Sequence, residues 1–579
     1  MPQFSQNWYI PRKWSTKPCK INNLVAEASG SRTHLRHKVP HAGFEDQAQH
    51  RLKLASDQNS NRTGLCYADL TLMPQRISLP RICIALGFPD AESLLAHARK
   101  EYEAGERFLE FRIDYLPAPE NGVAAIGKFL TRHGDCTILA TCRRHQNHGK
   151  FNGSVEEQVH LLETAIAAGA RAVDVEIESA ENCLERLQSL RSQAYLLLSY
   201  HNYGGTPPLD SLLRRMSRIP ADGYKIVTTA RKPSDNFRVL SLARANPKTP
   251  MVLLAMGETG FPTRVLSPAF GGLYTYATPH AAEGTAAGQV SARQLRHLYR
   301  VEKFTRDANV YGVIADPVRH SISPAVHNRA FQARRADAVY LPFLVKPIQL
   351  KDFLMLAEKL PLAGFSVTIP HKQKILRYLD MIDPLARRIG AVNTVWRKAG
   401  KWRGANTDVE GITVPLSKRV RLGKSSVLVV GNGGAGRGAA FAMAEAGAKL
   451  AITGRNLDRV RALAKACDAE PLSREQAESR MFDVLIHATP VGMFPRVDQC
   501  FFADRVPAKL VFDLVYNPME TLLARMAKDQ NAVVIPGLEM FLEQAARQFE
   551  IWTGDNAPRP VMEKAALEAL AADHSSAGA

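Results

Sequence analysis

A chain of 579 residues is too long for one hydrophobic core, so several domains are expected. With 45% hydrophobic and 23% charged residues, and no apolar run near the roughly 20 residues that span a bilayer, its composition is that of a soluble globular protein and excludes a helical membrane protein. The formal charge of +19 calls for anionic partners, and without a basic–aromatic repeat, zinc pattern or recognition helix these are expected to be small molecules and not nucleic acid. The eight cysteines are scattered without a C-x-x-C pair, as thiols of a reducing compartment are, and no metal site is expected.

Residues 1–78 are rich in Arg, Lys, His, Ser, Asn and Gln without periodicity, and a disordered basic extension is predicted. They lack the apolar stretch of a secretory signal. A cytoplasmic protein is the reading taken, and a translation start set too far upstream would explain the extension as well as a transit peptide would. The alternative is a plastid protein whose extension is a transit peptide.

From 79 to 290, short apolar runs alternate with helix-like stretches such as 92–105 and 156–168. The runs are ICIAL (82–86), FLEFR (108–112), TILAT (137–141), AVDVE (172–176), YLLLS (195–199), GYKIV (223–227), MVLLA (251–255) and GLYTY (272–276). Eight such units predict a (β/α)8 barrel. Glu110, Arg112, Arg143, Glu176, His201 and Lys225 fall toward the C-terminal ends of the runs, where barrels keep their active sites. Lys225 sits inside an apolar strand. In a low-dielectric interior an ammonium is disfavoured, which leaves free amine to attack a ketone. His201 ends another run and could move protons near neutral pH. Singly, each is explained as well by a snorkelling lysine or a histidine at a strand end. Together in one barrel they point to Schiff-base chemistry.

The segments EFRIDY (110–115), ATCR (140–143), VDVE (173–176), SYHN (199–202), Lys225, MGETG (256–260), Arg264, SPAFGG (267–272) and GTAAGQ (284–289) together resemble type I 3-dehydroquinate dehydratase. The resemblance implies that Lys225 forms an imine with the substrate ketone. It implies that His201 moves the protons and that Arg264 holds the carboxylate. Glu110, Arg112, Arg143, Thr285 and Gln289 would line the pocket. Two positions depart from the family. Asn147 stands where a glutamate helps to orient the histidine, and Ala287 replaces a proline. The first is expected to lower activity or to move its pH dependence.

Residues 291–309 are read as a charged linker helix, and a second α/β region follows. In VYGVIADPVRHSISP (310–324) an apolar strand leads into Ser321 and Ser323, which could bind a carboxylate or simply cap a helix. GFSVTIPHK (364–372) and GANTD (404–408) supply Lys372 and Asp408, a lysine–carboxylate couple suited to proton transfer. Next comes VLVVGNGGAG (427–436), an apolar run followed at once by G-x-G-x-x-G and an alanine-rich amphipathic stretch. Strand, glycine turn and helix are the parts of a pyrophosphate-binding turn. After KLAIT (449–453), where an NAD site would place an acidic residue, stand Gly454, Arg455 and Asn456, with Arg459 one turn on. A guanidinium there suits a 2′-phosphate, so the cofactor read is NADP.

With IGAVNTV (389–395), IHATPVGM (486–493), DLVYNP (513–518) and GLEMFLEQ (537–544), this half resembles shikimate dehydrogenase. The resemblance implies that Ser321, Ser323, Thr368, Asn393, Asp408, Tyr516 and Gln544 contact shikimate. Lys372, helped by Asp408, would move the proton at the C3 oxygen. NADP would lie on Gly431, Asn432, Gly433, Gly434 and Ala435, with Gly454, Arg455, Asn456 and Arg459 at the 2′-phosphate end and Leu514 and Gly537 near the nicotinamide. His487 and Gly454 stand where the family commonly has asparagine. The domains expected are a substrate-binding domain (310–415), a Rossmann domain (416–540), C-terminal helices returning to the substrate domain (541–571) and a flexible tail (572–579).

Dehydratase before dehydrogenase is the order of the bifunctional family of aromatic biosynthesis. The implied partners are 3-dehydroquinate, 3-dehydroshikimate and shikimate, and the oligomeric state is left open. Three alternatives stand beside this reading: quinate as the dehydrogenase substrate, a chain with only its dehydrogenase half active, and a basic scaffold with a degenerate barrel.

Overall fold

The computed structural model describes residues 77–279 and 288–577, with side chains to 572. The basic extension up to residue 76, Thr285 and Ala287 lie outside the described residues.

Eight strands form the first part: β1 (Ile82–Leu86), β2 (Phe108–Arg112), β3 (Thr137–Thr141), β4 (Ala172–Glu176), β5 (Tyr195–His201), β6 (Gly223–Thr229), β7 (Met251–Met256) and β8 (Thr275–Ala277). They pair in parallel in the order β7-β6-β5-β4-β3-β2-β1-β8, and a hydrogen bond from Leu273 N to Met251 O (2.8 Å) ties the two ends into a nearly closed barrel. The last strand starts three residues later than predicted. Gly271, at φ 101°, and the Gly272 N–H on Ser267 O first turn the chain, a conformation that favours glycine. The helices Ala91–Glu103 and Val155–Ala167 match the predicted stretches and start at good caps: Asp90 accepts from Ser93 N, and Ser154 and Glu157 form a capping box.

The barrel interior follows from the two-residue period of a strand. Cys83, Phe108, Leu139, Ala172, Leu197, Val252 and Tyr274 form one inner cluster, separate from the apolar layer under the helices. Two residues further along the same faces come Glu110, Thr141, Asp174, Ser199 and Lys225. Another two bring Arg112, Arg143, Glu176 and His201. Each inward face thus begins apolar and ends polar. The apolar layer closes the floor, and the polar layers face the mouth.

Between 291 and 309, where a linker helix is expected, only residues 292–298, with Gln294–Leu298 as the wider-wound part, are helical. Arg300, in the left-handed region at φ 55°, stops its propagation. A second sheet follows, with β9 (Asn309–Ala315), β10 (Ala338–Leu344), β11 (Leu362–Val367), β12 (Met381–Ile382), β13 (Thr394–Lys398) and β14 (Lys401–Ala405) in the order β10-β9-β11-β13-β14-β12. The third comprises β15 (Ser426–Val430), β16 (Lys449–Thr453), β17 (Glu470–Pro471), β18 (Phe482–His487), β19 (Ala508–Asp513) and β20 (Val533–Ile535). Its strands are all parallel, in the order β17-β16-β15-β18-β19-β20. The order reverses between β15 and β18, the switch point at which a doubly wound sheet binds its dinucleotide.

The helix Gly537–Thr553 returns to the second sheet, where Phe541, Ala545 and Phe549 pack with Tyr311, Val313 and Phe331. The last helix, Arg559–Ala577, remains helical through much of what was expected to be a flexible tail. Ser234 N and Oγ donate to the Asp352 carboxylate, joining a loop at the barrel mouth to the helix Leu350–Lys359. Among the described residues no helix is long and apolar enough to cross a membrane.

Candidate active sites

The barrel holds Lys225 only 3% exposed, yet not in apolar surroundings as expected. Its Nζ donates to Asp174 Oδ2 (2.9 Å) and to the Tyr276 hydroxyl (2.9 Å), and lies 3.6 Å from Glu110 Oε1. Desolvating an ammonium costs several kcal/mol, and these oxygens offset it. The inward period of β2 and β4 brings both carboxylates to the lysine.

Asp174 also accepts from Ser199 Oγ (2.5 Å) and from Arg143. Burial pushes its carboxyl up, but Lys225 and Arg143 outweigh this and hold it below the ordinary carboxylate range. Glu176, which accepts from Arg143 Nε and Gln158 Nε2, is raised because burial wins there. Glu110 accepts from Thr141 Oγ1 at 2.7 Å.

His201 stands at the end of β5. Burial, followed by the positive fields of Arg143, Lys225, Arg112 and His148, holds its imidazole well below the usual histidine range, so it is neutral at neutral pH. Its buried Nδ1 has no hydrogen-bond partner among the described residues. Asn147 instead donates to Glu178 Oε2 (2.9 Å). Arg112 is fixed by a bidentate pair with Asp114 (both bonds 2.8 Å), which uses two of its five N–H donors. Arg264, on the short helix after β7, is 2% exposed, and burial pulls its guanidinium down to about 10, still cationic at neutral pH. Gln289 is half-buried at the edge of the described segment.

In the second half, Lys372 Nζ donates to Asp408 Oδ2 at 2.5 Å. Asn393 Nδ2 donates to Asp408 Oδ1 (2.7 Å) and lies 3.4 Å from Gln544 Oε1, so four of the predicted residues form one hydrogen-bonded group. Thr368, just past β11, donates its N–H to Ile314 O. Tyr516 packs on Phe541 (5.0 Å between rings), one turn before Gln544, and burial raises its phenol to about 12. Ser323 is buried in the first turn of its helix, and its N–H donates to Ser321 Oγ, so part of the serine pair does serve the helix start.

The glycine turn follows β15. Gly431 has φ 121°, a conformation that L side chains rarely adopt. A Cβ on Gly436 would lie 2.2 Å from Gly431 O, and one on Gly434 would lie 2.9 Å from Lys372 Cδ. A Cβ on Gly433 would meet open space. The turn is therefore tight behind and open in front, and the stem of Lys372 crosses the start of the helix Gly434–Glu445. These features fit a dinucleotide pyrophosphate. Gly454 lies beside the turn, within 3.6 Å of Asn432 Nδ2 by the same measure, and Arg455 and Arg459 are exposed next to it. Asn456 spends its side chain capping the following helix, accepting from Arg459 N (3.0 Å). Ala435 lies in the first turn of the glycine-turn helix. Gly537 touches the backbone at Leu514, where a Cβ would come within 2.7 Å of the Leu514 carbonyl carbon.

Comparison with known proteins agrees with this division. Family models match at 82–305 (type I 3-dehydroquinase), 313–395 (shikimate dehydrogenase substrate binding domain), 416–498 (shikimate / quinate 5-dehydrogenase) and 537–567 (shikimate 5'-dehydrogenase C-terminal domain). A bifunctional 3-dehydroquinate dehydratase/shikimate dehydrogenase, chloroplastic, of Arabidopsis thaliana is 33% identical over 89% of this chain and 89% of its own length. The chain belongs to the bifunctional 3-dehydroquinate dehydratase/shikimate dehydrogenase family. A shikimate dehydrogenase (NADP(+)) of Bacillus cereus is 41% identical over 42% of this chain and 92% of its own. A crystal structure of shikimate 5-dehydrogenase from Thermus thermophilus, in complex with NADP(H) and shikimate, is 34% identical, covering 45% of this chain and 99% of that one with a TM-score of 0.42.

Several residues of these sites were missed by sequence reasoning. Asp174 was not singled out, although its place two residues before Glu176 puts both on the inward face of β4. Tyr276 lay within an apolar run. In the dehydrogenase half, the Tyr340 hydroxyl reaches Ser366 Oγ (2.7 Å), Ser366 reaches Gln548 Oε1 (2.8 Å), and Gln548 Nε2 reaches Thr394 Oγ1 (3.1 Å). This buried chain props Asn393 from behind, and no local pattern announces it.

Proposed function

We propose that the chain performs two consecutive steps, dehydrating 3-dehydroquinate to 3-dehydroshikimate in the barrel and reducing that ketone to shikimate with NADPH in the second half. The observation that carries the reading is the pair of lysines, each held against a buried carboxylate, one inside a barrel and one beside a glycine turn.

In the barrel, Lys225 gives up one ammonium proton and attacks the C3 ketone as the free amine, and that proton is returned as the oxygen leaves. A C–N bond forms and the ketone oxygen leaves as water with two of the three ammonium protons, so the product is an iminium. The iminium draws electrons from the C2–H bond, and neutral His201 takes that proton. The C1 hydroxyl leaves as water with the proton that His201 returns. Hydrolysis of the imine frees Lys225, and the net change is the loss of one water. Arg264 holds the substrate carboxylate. Glu110, Arg112, Arg143, Thr285 and Gln289 line the pocket, with Arg112 held in place by its pair with Asp114.

In the second half, NADPH, when bound, supplies the reducing equivalents. Gly431 to Ala435 receive its pyrophosphate, and Arg455 and Arg459 face its 2′-phosphate. Lys372 gives the proton to the C3 oxygen, and Asp408 keeps that ammonium aimed and charged. Ser321, Ser323, Thr368, Asn393, Tyr516 and Gln544 hold the carboxylate and hydroxyls. The reaction takes place in the cytoplasm, or in a plastid if sequencing of the mature N-terminus shows the extension removed.

A coupled assay tests the whole. Adding 3-dehydroquinate is expected to consume NADPH. Lys225→Ala stops this, and 3-dehydroshikimate restores it. No borohydride-trapped adduct on Lys225 would overturn the barrel chemistry, and a preference for quinate with NAD would overturn the second assignment.

A further inference from the structure

The imine chemistry proposed above leaves one contact of the reacting nitrogen without a role. Tyr276, on β8, places its hydroxyl 2.9 Å from Lys225 Nζ, and the same ammonium lies 4.3 Å from the centre of its ring. The ring is 3% exposed. The other two oxygens near Nζ belong to carboxylates, Asp174 at 2.9 Å and Glu110 at 3.6 Å. A carboxylate only accepts, so it favours the ammonium over the amine. A phenol does both. While Nζ is cationic, the Tyr276 oxygen accepts from it and the phenol hydrogen points elsewhere. The Tyr274 hydroxyl, 3.5 Å away, is a polar group within its reach. Once Nζ has lost a proton, the Tyr276 O–H can turn and donate to the nitrogen.

We propose that Tyr276 is a catalytic residue of the dehydratase, the partner of Lys225 that supports its nitrogen both as ammonium and as free amine. The inference rests on the Schiff-base reading and deepens it. Burial, and then the negative field of Glu110, push the Tyr276 phenol well above its ordinary range, so it keeps its proton wherever the enzyme works. The titratable and charged groups facing the pair are Cys83 of β1, Glu110 of β2, Asp174 of β4, His201 of β5 and Tyr274, with Arg143 reaching it through Asp174. None of the carboxylates among them can donate while ionised.

The test is the rate of borohydride-trapped imine formation on Lys225, with 3-dehydroquinate as probe, measured against pH in the full-length chain. Tyr276→Phe leaves the lysine with carboxylate acceptors alone, which favour the ammonium. The expected result is imine formation slowed about tenfold, in line with one charge-assisted hydrogen bond. The acid limb is displaced from its wild-type position, KM is unchanged, and reduction of 3-dehydroshikimate is intact. Tyr274→Phe, which removes a hydroxyl from the layer below without touching Lys225, keeps the wild-type limb. If Tyr276→Phe traps at the wild-type rate and limb, or if both variants shift alike, the role of Tyr276 is overturned while the Schiff-base reading stands. If the wild-type chain itself yields no adduct, the Schiff-base reading fails and this inference fails with it.

Discussion

Lys225 and Lys372 carry the same functional group in two different settings. Lys225 projects from the middle of a strand into a barrel, with a carboxylate and a phenol at 2.9 Å and a second carboxylate at 3.6 Å. Lys372 sits on a loop after β11 with one carboxylate at 2.5 Å, its side chain 14% exposed and its stem resting on a glycine turn. A nucleophile that forms a bond to carbon must be held in one place, and strands on every side do that. A proton donor must be recharged from solvent after each turnover, and a loop at the edge of a cleft permits that.

The largest predicted effect separates the two settings. Lys225→Ala should cut dehydratase turnover by more than about a thousandfold with reduction of 3-dehydroshikimate unchanged, and Lys372→Ala should do the reverse. Separate assays of the two half-reactions check this, and parallel loss of both would mean that one fold defect had been measured instead. Gly436→Ala comes next. Its methyl would meet a backbone carbonyl at 2.2 Å, so the turn must open. The dehydrogenase should lose about a hundredfold in kcat/KM for NADPH while barrel activity holds.

A third prediction concerns acid. His327 is wholly buried in the dehydrogenase half, stacked on Tyr340 at 4.5 Å, and burial lowers its imidazole to about 3. The unfolded chain takes up a proton there near pH 6.5 and the folded chain does not. Stability from this group is therefore complete above about pH 6.5 and falls by up to about 1.4 kcal/mol per pH unit below it, until about pH 3. His327→Phe should flatten the slope of the dehydrogenase thermal midpoint against pH, whatever it does to the midpoint itself. An unchanged slope would sink the idea.

The smallest effect is expected at His487. Its Nδ1 is 2.8 Å from Asp513, which also accepts from Thr521 Oγ1 and Val515 N, and its Nε2 is 2.5 Å from Thr489 Oγ1. The pair ties the segment after β18 to the segment after β19, beside Leu514. His487→Asn, the family's commoner residue, should raise KM for NADPH a few-fold with kcat nearly kept, read by steady-state kinetics. A drop in kcat alone would contradict a positioning role.

The barrel was legible because its strands are short apolar runs at even spacing and its polar ends lie where barrels keep their chemistry. Lys225, Glu110 and Arg143 were readable for that reason. Asp174 was not, because whether a charge on a strand faces inward depends on register, and neighbouring strands set the register. The linker helix failed for a related reason, since a charged stretch has helical propensity on paper while Arg300 turns the real chain. Arg112 was legible from the family motif, but the partner that fixes it was not. Its bidentate hold on Asp114 is visible only once the strand ends and the short turn after it begins.

By itself the sequence determined the two halves, their order, the glycine turn with its arginines, and the two lysines proposed to do the chemistry. These depend on residue type and local spacing, which a linear chain carries in full. The tertiary structure decided what each lysine touches. It brought Asp174 and Tyr276 to Lys225 from strands about 50 residues away on either side, and set Lys372 between Asp408 and Gly434. It also left His201 among cations, its Nδ1 without a partner among the described residues. Hydrogen bonds and Coulomb forces act over a few ångströms, and only the closing of the barrel and the packing of two lobes bring distant residues within that reach.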